Sequence, residues 1–320
     1  MQTLVLEKKK IDLREFVQRR ANESDCATLL KDEFRVVDKE TGKVVCLYIK
    51  PREDADALSE IFDCCTTVKY QETFRTSGLK TTSRIFGYNP RNAIRKDFCA
   101  ITSFATEQPN QHAKIMSGGA IPAKHYALHN SELYSEHLKT TKERIVEDYR
   151  HADVPFTSGI INDNNPLCYH FDSGNFKDVW SAMIVLKKEI GGGYLSMPEY
   201  GVMCEVKDKS IFYFDGQSIL HGVTPITKMR PDSRRFSIVY YSLRAMWIKE
   251  VVITGSYERR DFKIEAGETW IDIGSNCGAF TVLAASRGAN VIAFEPDPEN
   301  ASIARANVEA NKLGRIAKIN

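Results

Sequence analysis

The chain has 320 residues, 42% of them hydrophobic and 27% charged, which suits one large globular domain or two ordinary ones. Its 44 basic and 42 acidic side chains leave a formal charge of +2, so no global electrostatic case for nucleic acid exists and any such case must rest on local clustering. No apolar run is long enough to span a bilayer, and the opening MQTLVLEKKKIDLREF lacks the apolar core and cleavage site of a secretory signal; the expected location is cytoplasmic.

Residues 10–20 read as a charged helix. Phe34-Arg35-Val36-Val37 and Val44-Val45-Cys46-Leu47-Tyr48-Ile49 flank Glu40-Thr41-Gly42-Lys43, a hairpin pattern. From Glu53 to Cys65, Ala57, Leu58, Ile61 and Phe62 fall at helical spacing, and a second helix is expected from Ser131 to about Arg150 with Leu133, Leu138 and Ile145 on its inner face. The cysteines (Cys26, Cys46, Cys64, Cys65, Cys99, Cys168, Cys204 and Cys277) form no CxxC pair and read as reduced, mostly buried thiols. His125 and His129 stand at i,i+4 without an accompanying carboxylate motif and read as structural or surface residues, as do His112 and His137.

From Phe156 onward the pattern changes. FTSGIIN, PLCYHF, WSAMIVL, GYLSMP, SIFYFD and RFSIVYYSL are short strands separated by Gly, Asn, Asp and Pro turns. This is how a double-stranded β-helix, or jelly roll, reads; the earlier helices would brace one of its sheets. Gly191-Gly192-Gly193 precedes no helix and reads as a turn between strands rather than a phosphate loop.

Within this barrel, His170 and Asp172 stand two apart on a strand-like run, a spacing that turns both side chains to one face. With the later His221 they would make a two-histidine, one-carboxylate metal face, the ligand set of non-haem Fe(II) oxygenases. An isolated HxD is more often a simple His–Asp hydrogen bond; the ordered set with His221 and a following Arg-x-Ser is far more specific. Arg235 and Ser237 alternate on one strand and are placed to bind the distal carboxylate of 2-oxoglutarate, the arginine through its planar fork. Apolar residues occupy both faces of that strand, so alternation alone does not separate Arg235 from Arg234.

The run YHFDSGNFKDVWSAMIVLKKEIGGGYLSMPEYG, followed by FYFDGQSILHGVTP and RRFSIVYYS, resembles the TET/JBP group of 2-oxoglutarate oxygenases across roughly residues 75–245. Ile85-Phe86-Gly87 with Pro90-Arg91, and Phe156-Thr157-Ser158 with Asn162, are further points of likeness. The resemblance implies Fe(II) at His170, Asp172 and His221, 2-oxoglutarate at Arg235 and Ser237, and O2 as co-substrate. The implied reaction is hydroxylation of the methyl group of 5-methylcytosine or thymine in DNA. It also places Asn175 near the target base; a turn asparagine is the alternative. A base in a duplex must be flipped out to be reached. Arg75, Lys80, Arg84, Arg91, Arg95 and Lys96, interleaved with Phe74, Phe86 and Tyr88, form a local basic cluster for that purpose, or else a solvated charged face. The same chemistry on a protein side chain or small molecule, and a non-catalytic binding protein, are the competing readings.

After Trp247 the pattern changes again. Ile248 to Thr254 reads as a strand; Thr269–Ile273 runs into Gly274-Ser275-Asn276-Cys277-Gly278, a helix follows, then the strand Asn290–Phe294 ending at Glu295, and a helical run from Pro298 to Leu313. This β-α-β-α order starts a Rossmann-like α/β domain. The segment looks like the S-adenosylmethionine (SAM) site of FkbM-type methyltransferases, which implies cofactor contacts at Asp272, Gly274, Asn276, Gly278 and Glu295. Two β-α units are fewer than such a domain needs, so residues 249–320 are expected to be its opening part, incapable of methylation alone. The expected organisation is an α+β protein: an oxygenase domain over 1–248 and a partial methyltransferase domain over 249–320.

Overall fold

Strand Arg234–Tyr241 sets the plan of the larger part of the molecule, because its two faces meet different layers. Phe236, Ile238 and Tyr240 pack against helices, in one core with Leu58, Ile61 and Ile115. Ser237, Val239 and Tyr241 line a cavity on the other side, and alternation puts Arg235 on that inner face too. The neighbouring strand Ser181–Lys188 is divided the same way. Ala182, Ile184 and Leu186 join the helical core, while Met183 and Val185 join the core between the sheets. Burial on both faces explains why this strand reads as a near-continuous apolar run.

The computed structural model describes residues 1–74, 80–90, 99–151, 153–172, 174–247 and 263–320. The chain divides into one unit of Met1–Asn89 with Ile101–Arg244 and another of Pro90–Ala100 with Ala245–Asn320. In the first, the larger sheet runs in the order Gln2–Leu6, Phe34–Asp38, Val44–Ile49, Ser210–Phe214, Ser181–Lys188, Arg234–Tyr241, Ser158–Asp163, Lys80–Pro90 and Gln71–Phe74. The smaller sheet runs Thr28–Leu30, Val202–Cys204, Leu195–Met197, His221–Val223 and Leu167–His170. Met183, Val185, Phe212 and Phe214 from the larger sheet meet Leu195, Met197, Val202 and Val223 from the smaller, forming a jelly-roll core. Helices Ala55–Thr67, Pro109–Gly118 and Ala120–His129 cover the outer face of the larger sheet. Their approach is close: a Cβ on Gly118 would stand 2.9 Å from Ile61 and 3.0 Å from the Tyr240 hydroxyl.

The hairpin at Phe34–Asp38 and Val44–Ile49 forms as expected. Four expectations need correction. Residues 10–20 hold only the short helix Leu13–Phe16, and the segment before it, Gln2–Leu6, is a strand running parallel to Phe34–Asp38. The helix from Ser131 stops at Arg144, and it buries His137 and Thr141, while Leu133 and Leu138 are only half-buried. Arg84 is no surface cation: it is 3% exposed and donates to Glu107 at 2.6 Å. Lys80 pairs with Glu72 at 2.7 Å. Arg75, Arg91, Arg95 and Lys96, like the strand expected over Ile248–Thr254, lie outside the described residues. The cysteines are unbonded and all are buried except the half-buried Cys64 and Cys277.

In the second unit Thr269–Ile273, Asn290–Phe294 and Ala317–Ile319 form a parallel sheet in that order. The strand at Ala317–Ile319 was missed in the sequence because it is only three residues long. Helix Pro298–Ala310 begins as its Asp-Pro start signals: the Asp297 carboxylate accepts from the backbone N–H of Glu299 and Asn300 at 2.9 and 3.0 Å. Phe280, Leu283, Val291 and Val308 pack one face of this sheet. Ile271, Ile273, Ile292 and Phe294 stand exposed on the other. Among the described residues of the whole chain, no helix is long and apolar enough to cross a membrane.

Candidate active site

His221 and His170 are direct partners across adjacent antiparallel strands of the smaller sheet, which brings their ring centroids to 4.4 Å. Asp172 Oδ1 lies 3.5 Å from His170 Nε2 and 3.8 Å from His221 Nε2. All three offer a ligand atom within 4.8 Å of one another, so small side-chain rotations would bring them onto one ion. Asp172 is not aimed by the strand geometry that its spacing from His170 led us to expect. The strand ends at His170, so strand alternation does not aim the carboxylate. Its backbone N–H instead donates to Gly216 O at 2.8 Å, and a Cβ on Gly216 would stand 2.2 Å from Asp172 Oδ2. Gly216 is the residue that sequence reasoning missed here; a glycine close after the FYF strand was its only signal.

The tautomers are set by the backbone. His170 Nδ1 donates to Cys168 O at 2.8 Å and His221 Nδ1 to Ile219 O at 2.9 Å. A carbonyl can only accept, so each Nδ1 carries the proton and each Nε2 lone pair turns toward Asp172. Metal-ligating histidines are held in this way. His221 is buried, whereas His170 and Asp172 keep about a quarter of their side-chain surface, 26% and 24%, open to solvent. The donor set therefore fits a divalent transition ion with one accessible side.

Support for these groups comes from far along the chain. Glu199 accepts from the backbone N–H of Leu220, next to His221, at 2.8 Å and pairs with Lys8 at 3.1 Å. The Tyr169 hydroxyl, next to His170, bonds Asp25 at 3.0 Å and Ser196 at 2.7 Å. The N-terminal segment thus holds both histidine strands from outside.

A cavity of about 380 Å³ opens beside the histidines, lined among others by Asn162, Asn175, Phe214, Ser237 and Tyr241. Asn175 is 6% exposed, and its amide N–H groups reach Asp172 Oδ2 at 3.4 Å and Ser181 Oγ at 3.2 Å. Two residues before Ser237 on the same face lies Arg235, 0% exposed, with none of its three guanidinium nitrogens hydrogen-bonded. Burial pulls its pKa down to about 10, which still leaves it cationic at neutral pH. Arg234 faces the other way, onto Asp163. A buried, unpaired guanidinium costs several kcal/mol unless an anion reaches it, so Arg235 fits the carboxylate of an acidic ligand. The backbone of Gly193 packs on this arginine, where a Cβ would lie 3.1 Å from Nε.

In the second unit Asp272 accepts from the Thr281 hydroxyl at 2.6 Å. Gly274, Asn276 and Gly278 all take positive φ in the turn before helix Ala279–Ser286. The Glu295 carboxylate accepts from the backbone N–H of Asn276 at 2.6 Å and of Asp297 at 3.1 Å. The turn and the end of the second strand are therefore tied together.

The jelly-roll fold agrees with the comparisons to known proteins. Residues 83–244, about half of the chain, match the Tet_JBP family, described as the oxygenase domain of the 2OGFeDO superfamily. The chain belongs to that family. It is similar to thymine dioxygenase JBP1 of Trypanosoma brucei brucei, 22% identical over 193 residues. That alignment takes in 59% of this chain but 22% of the relative's length. Among solved structures it is similar to NgTET1 in complex with 5mC DNA, with a TM-score of 0.51 and 15% identity. The superposition covers 69% of this chain and 83% of that one and supports the shared fold.

Proposed function

We propose that the chain is an Fe(II)- and 2-oxoglutarate-dependent dioxygenase that hydroxylates the methyl group of a modified pyrimidine, 5-methylcytosine or thymine, in DNA. One observation carries the chemistry: Arg235, buried and unpaired, stands two residues from Ser237, which lines the cavity beside the His170, Asp172 and His221 cluster. The substrate class is supported by the family and by the two relatives, one a thymine dioxygenase and one seen with 5mC DNA.

In this reading His170, Asp172 and His221 hold the iron through Nε2, carboxylate and Nε2. Arg235 and Ser237 hold the distal carboxylate of 2-oxoglutarate. Iron and the oxo acid, when bound there, would supply the oxidation of a C–H bond to C–OH by O2, with succinate and CO2 as co-products. The chain's own work is placement and exclusion of bulk water. Phe214 and Val223 wall the cavity, and the half-open side of His170 and Asp172 admits substrate. The Asn175 N–H groups are committed to Asp172 and Ser181, so its Oδ1 is the atom that would accept from the edge of a flipped base. Lys80 and Arg84 already have acidic partners and add no support for phosphate contact.

The test is nucleoside mass spectrometry after incubation with Fe(II), 2-oxoglutarate, O2 and DNA carrying 5-methylcytosine, with His170→Ala beside it. Hydroxymethylcytosine, or hydroxymethyluracil from thymine, formed by wild type alone is the expected result. Succinate with unaltered bases would move the substrate to a protein side chain or small molecule. No 2-oxoglutarate turnover would leave a binding protein.

For organisation we propose an oxygenase domain over 1–248 and the opening part of a SAM-dependent methyltransferase over 249–320. The parallel strands and the left-handed Gly274 and Gly278 turn support the second assignment, with Asp272, Asn276 and Glu295 as the polar cofactor contacts. Calorimetric titration with SAM tests it; no binding, or binding that Glu295→Ala leaves unchanged, would sink it.

A further inference from the structure

The proposed oxo-acid site contains a second cation that the arginine assignment does not use. Lys187 is paired directly across from Arg235 on the neighbouring strand. Cross-strand partners put their side chains on one face with Cβ atoms about 4.5–5.5 Å apart, and like charges so placed destabilise a sheet. Lys187 continues the inward face of Met183 and Val185, and it is half-buried. Burial and the Arg235 charge both push its ammonium pKa down, while Glu205 and Asp208 act in the opposite sense. The Asp208 carboxylate accepts from the Lys187 backbone N–H at 2.7 Å, but among the described residues the Lys187 ammonium forms no ion pair with either acid. Arg235 has no partner for its guanidinium either. Two adjacent cations without an anion, one wholly buried, are unfavourable in the free protein. A carboxylate placed between them removes both penalties at once.

We propose that Lys187 is a specificity-determining residue that shares the distal carboxylate with Arg235, so that the pair selects a dicarboxylic over a monocarboxylic 2-oxo acid. This rests on the oxo-acid reading above. The fork of Arg235 fixes the plane of the carboxylate, and Lys187, a point charge on a flexible stem, supplies attraction without a fixed geometry. A monocarboxylic oxo acid has nothing to offer either cation and leaves their repulsion in place.

The experiment is calorimetric titration of the full chain loaded with Mn(II), in anaerobic buffer, with 2-oxoglutarate and separately with 2-oxobutyrate. Lys187→Met should weaken 2-oxoglutarate by about tenfold, the loss of one charge-assisted contact, and leave 2-oxobutyrate unchanged. Its ligand-free melting temperature should rise, because the repulsion with Arg235 is gone. Lys187→Arg should restore selectivity, and Lys187→Gln, with a polar stem of similar reach, should behave as Lys187→Met. Wild-type affinity for 2-oxoglutarate in both neutral variants would overturn the role of Lys187, as would equal loss of both ligands. Arg235→Met separates the two layers of inference. If it abolishes 2-oxoglutarate binding while the neutral lysine variants bind it as tightly as wild type, the site stands and Lys187 is dispensable. If it too binds normally, the oxo-acid reading itself fails.

Discussion

The barrel interior is finished differently at its two working positions. Around His170, Asp172 and His221 every orienting bond is already made: each imidazole is tied to a carbonyl two residues back, and Asp172 is tied to Gly216. Around Arg235 none is made for the guanidinium. Side chains oriented in this way are preorganised for an ion, whereas the unpaired arginine carries an electrostatic penalty that an anionic ligand would relieve. Substitutions at the two places should therefore differ in sign. Removing a metal ligand costs binding and spares the fold; removing the arginine costs binding and strengthens the fold.

The largest effect is expected for Asp172→Ala, which should weaken Fe(II) or Mn(II) binding by more than about 100-fold, beyond what loss of a supporting contact gives. Its melting temperature in metal-free buffer should stay near wild type; a collapse there would show that the cluster is a structural bridge. Arg235→Met should raise ligand-free stability by about 1–4 kcal/mol, the range seen when buried charges yield to apolar residues. Thermal melts with and without 2-oxoglutarate read this directly, and a lower melting temperature in the variant would end the contrast. Gly216→Ala sharpens it from the other side. Its new methyl meets Asp172 Oδ2, so metal affinity should fall about 10–100-fold with 2-oxoglutarate contacts at Arg235 untouched.

A smaller, conditional effect belongs to His137, which lies in the helical layer. It is 1% exposed, bonds Ser242 at 3.0 Å, and burial pushes its pKa down to about 3. The folded state thus resists a proton that the unfolded chain takes up near 6.5. The stability it contributes is present above that value and is lost as pH falls from about 6.5 toward 3. At pH 5 the loss is about 2 kcal/mol. Melting curves of wild type and His137→Gln at pH 7 and pH 5 check it: the variant should lose less on acidification.

The barrel strands from Ser158 to Tyr241 were legible because their alternation and turn residues are local signals, and the grouping of His170, Asp172 and His221 was legible because two of the three lie within three residues. What was not legible depends on distant partners. Arg84 looks like a surface cation until Glu107 is brought to it. The aim of Asp172 comes from Gly216, which lies five strands further along the chain. Telling Arg235 from Arg234 needed the packing of Phe236 in the helical core, the burial of Arg235 and the contact of Arg234 with Asp163, which no single strand records. Helices Pro109–Gly118 and Ala120–His129 were missed because polar and apolar residues are mixed around them, as suits short helices packed between a sheet and other helices.

The parallel strand Gln2–Leu6 and the strand Thr28–Leu30 sit at the edges of the two barrel sheets, far outside the family match that starts at residue 83. A fragment trimmed to that match would leave Val202–Cys204 and Ser210–Phe214 with open hydrogen-bonding edges and strip Lys8 from Glu199. Shortening this protein to that match would thus bare two strand edges able to pair with other chains, and its first fifty residues act as the cover over both sheets.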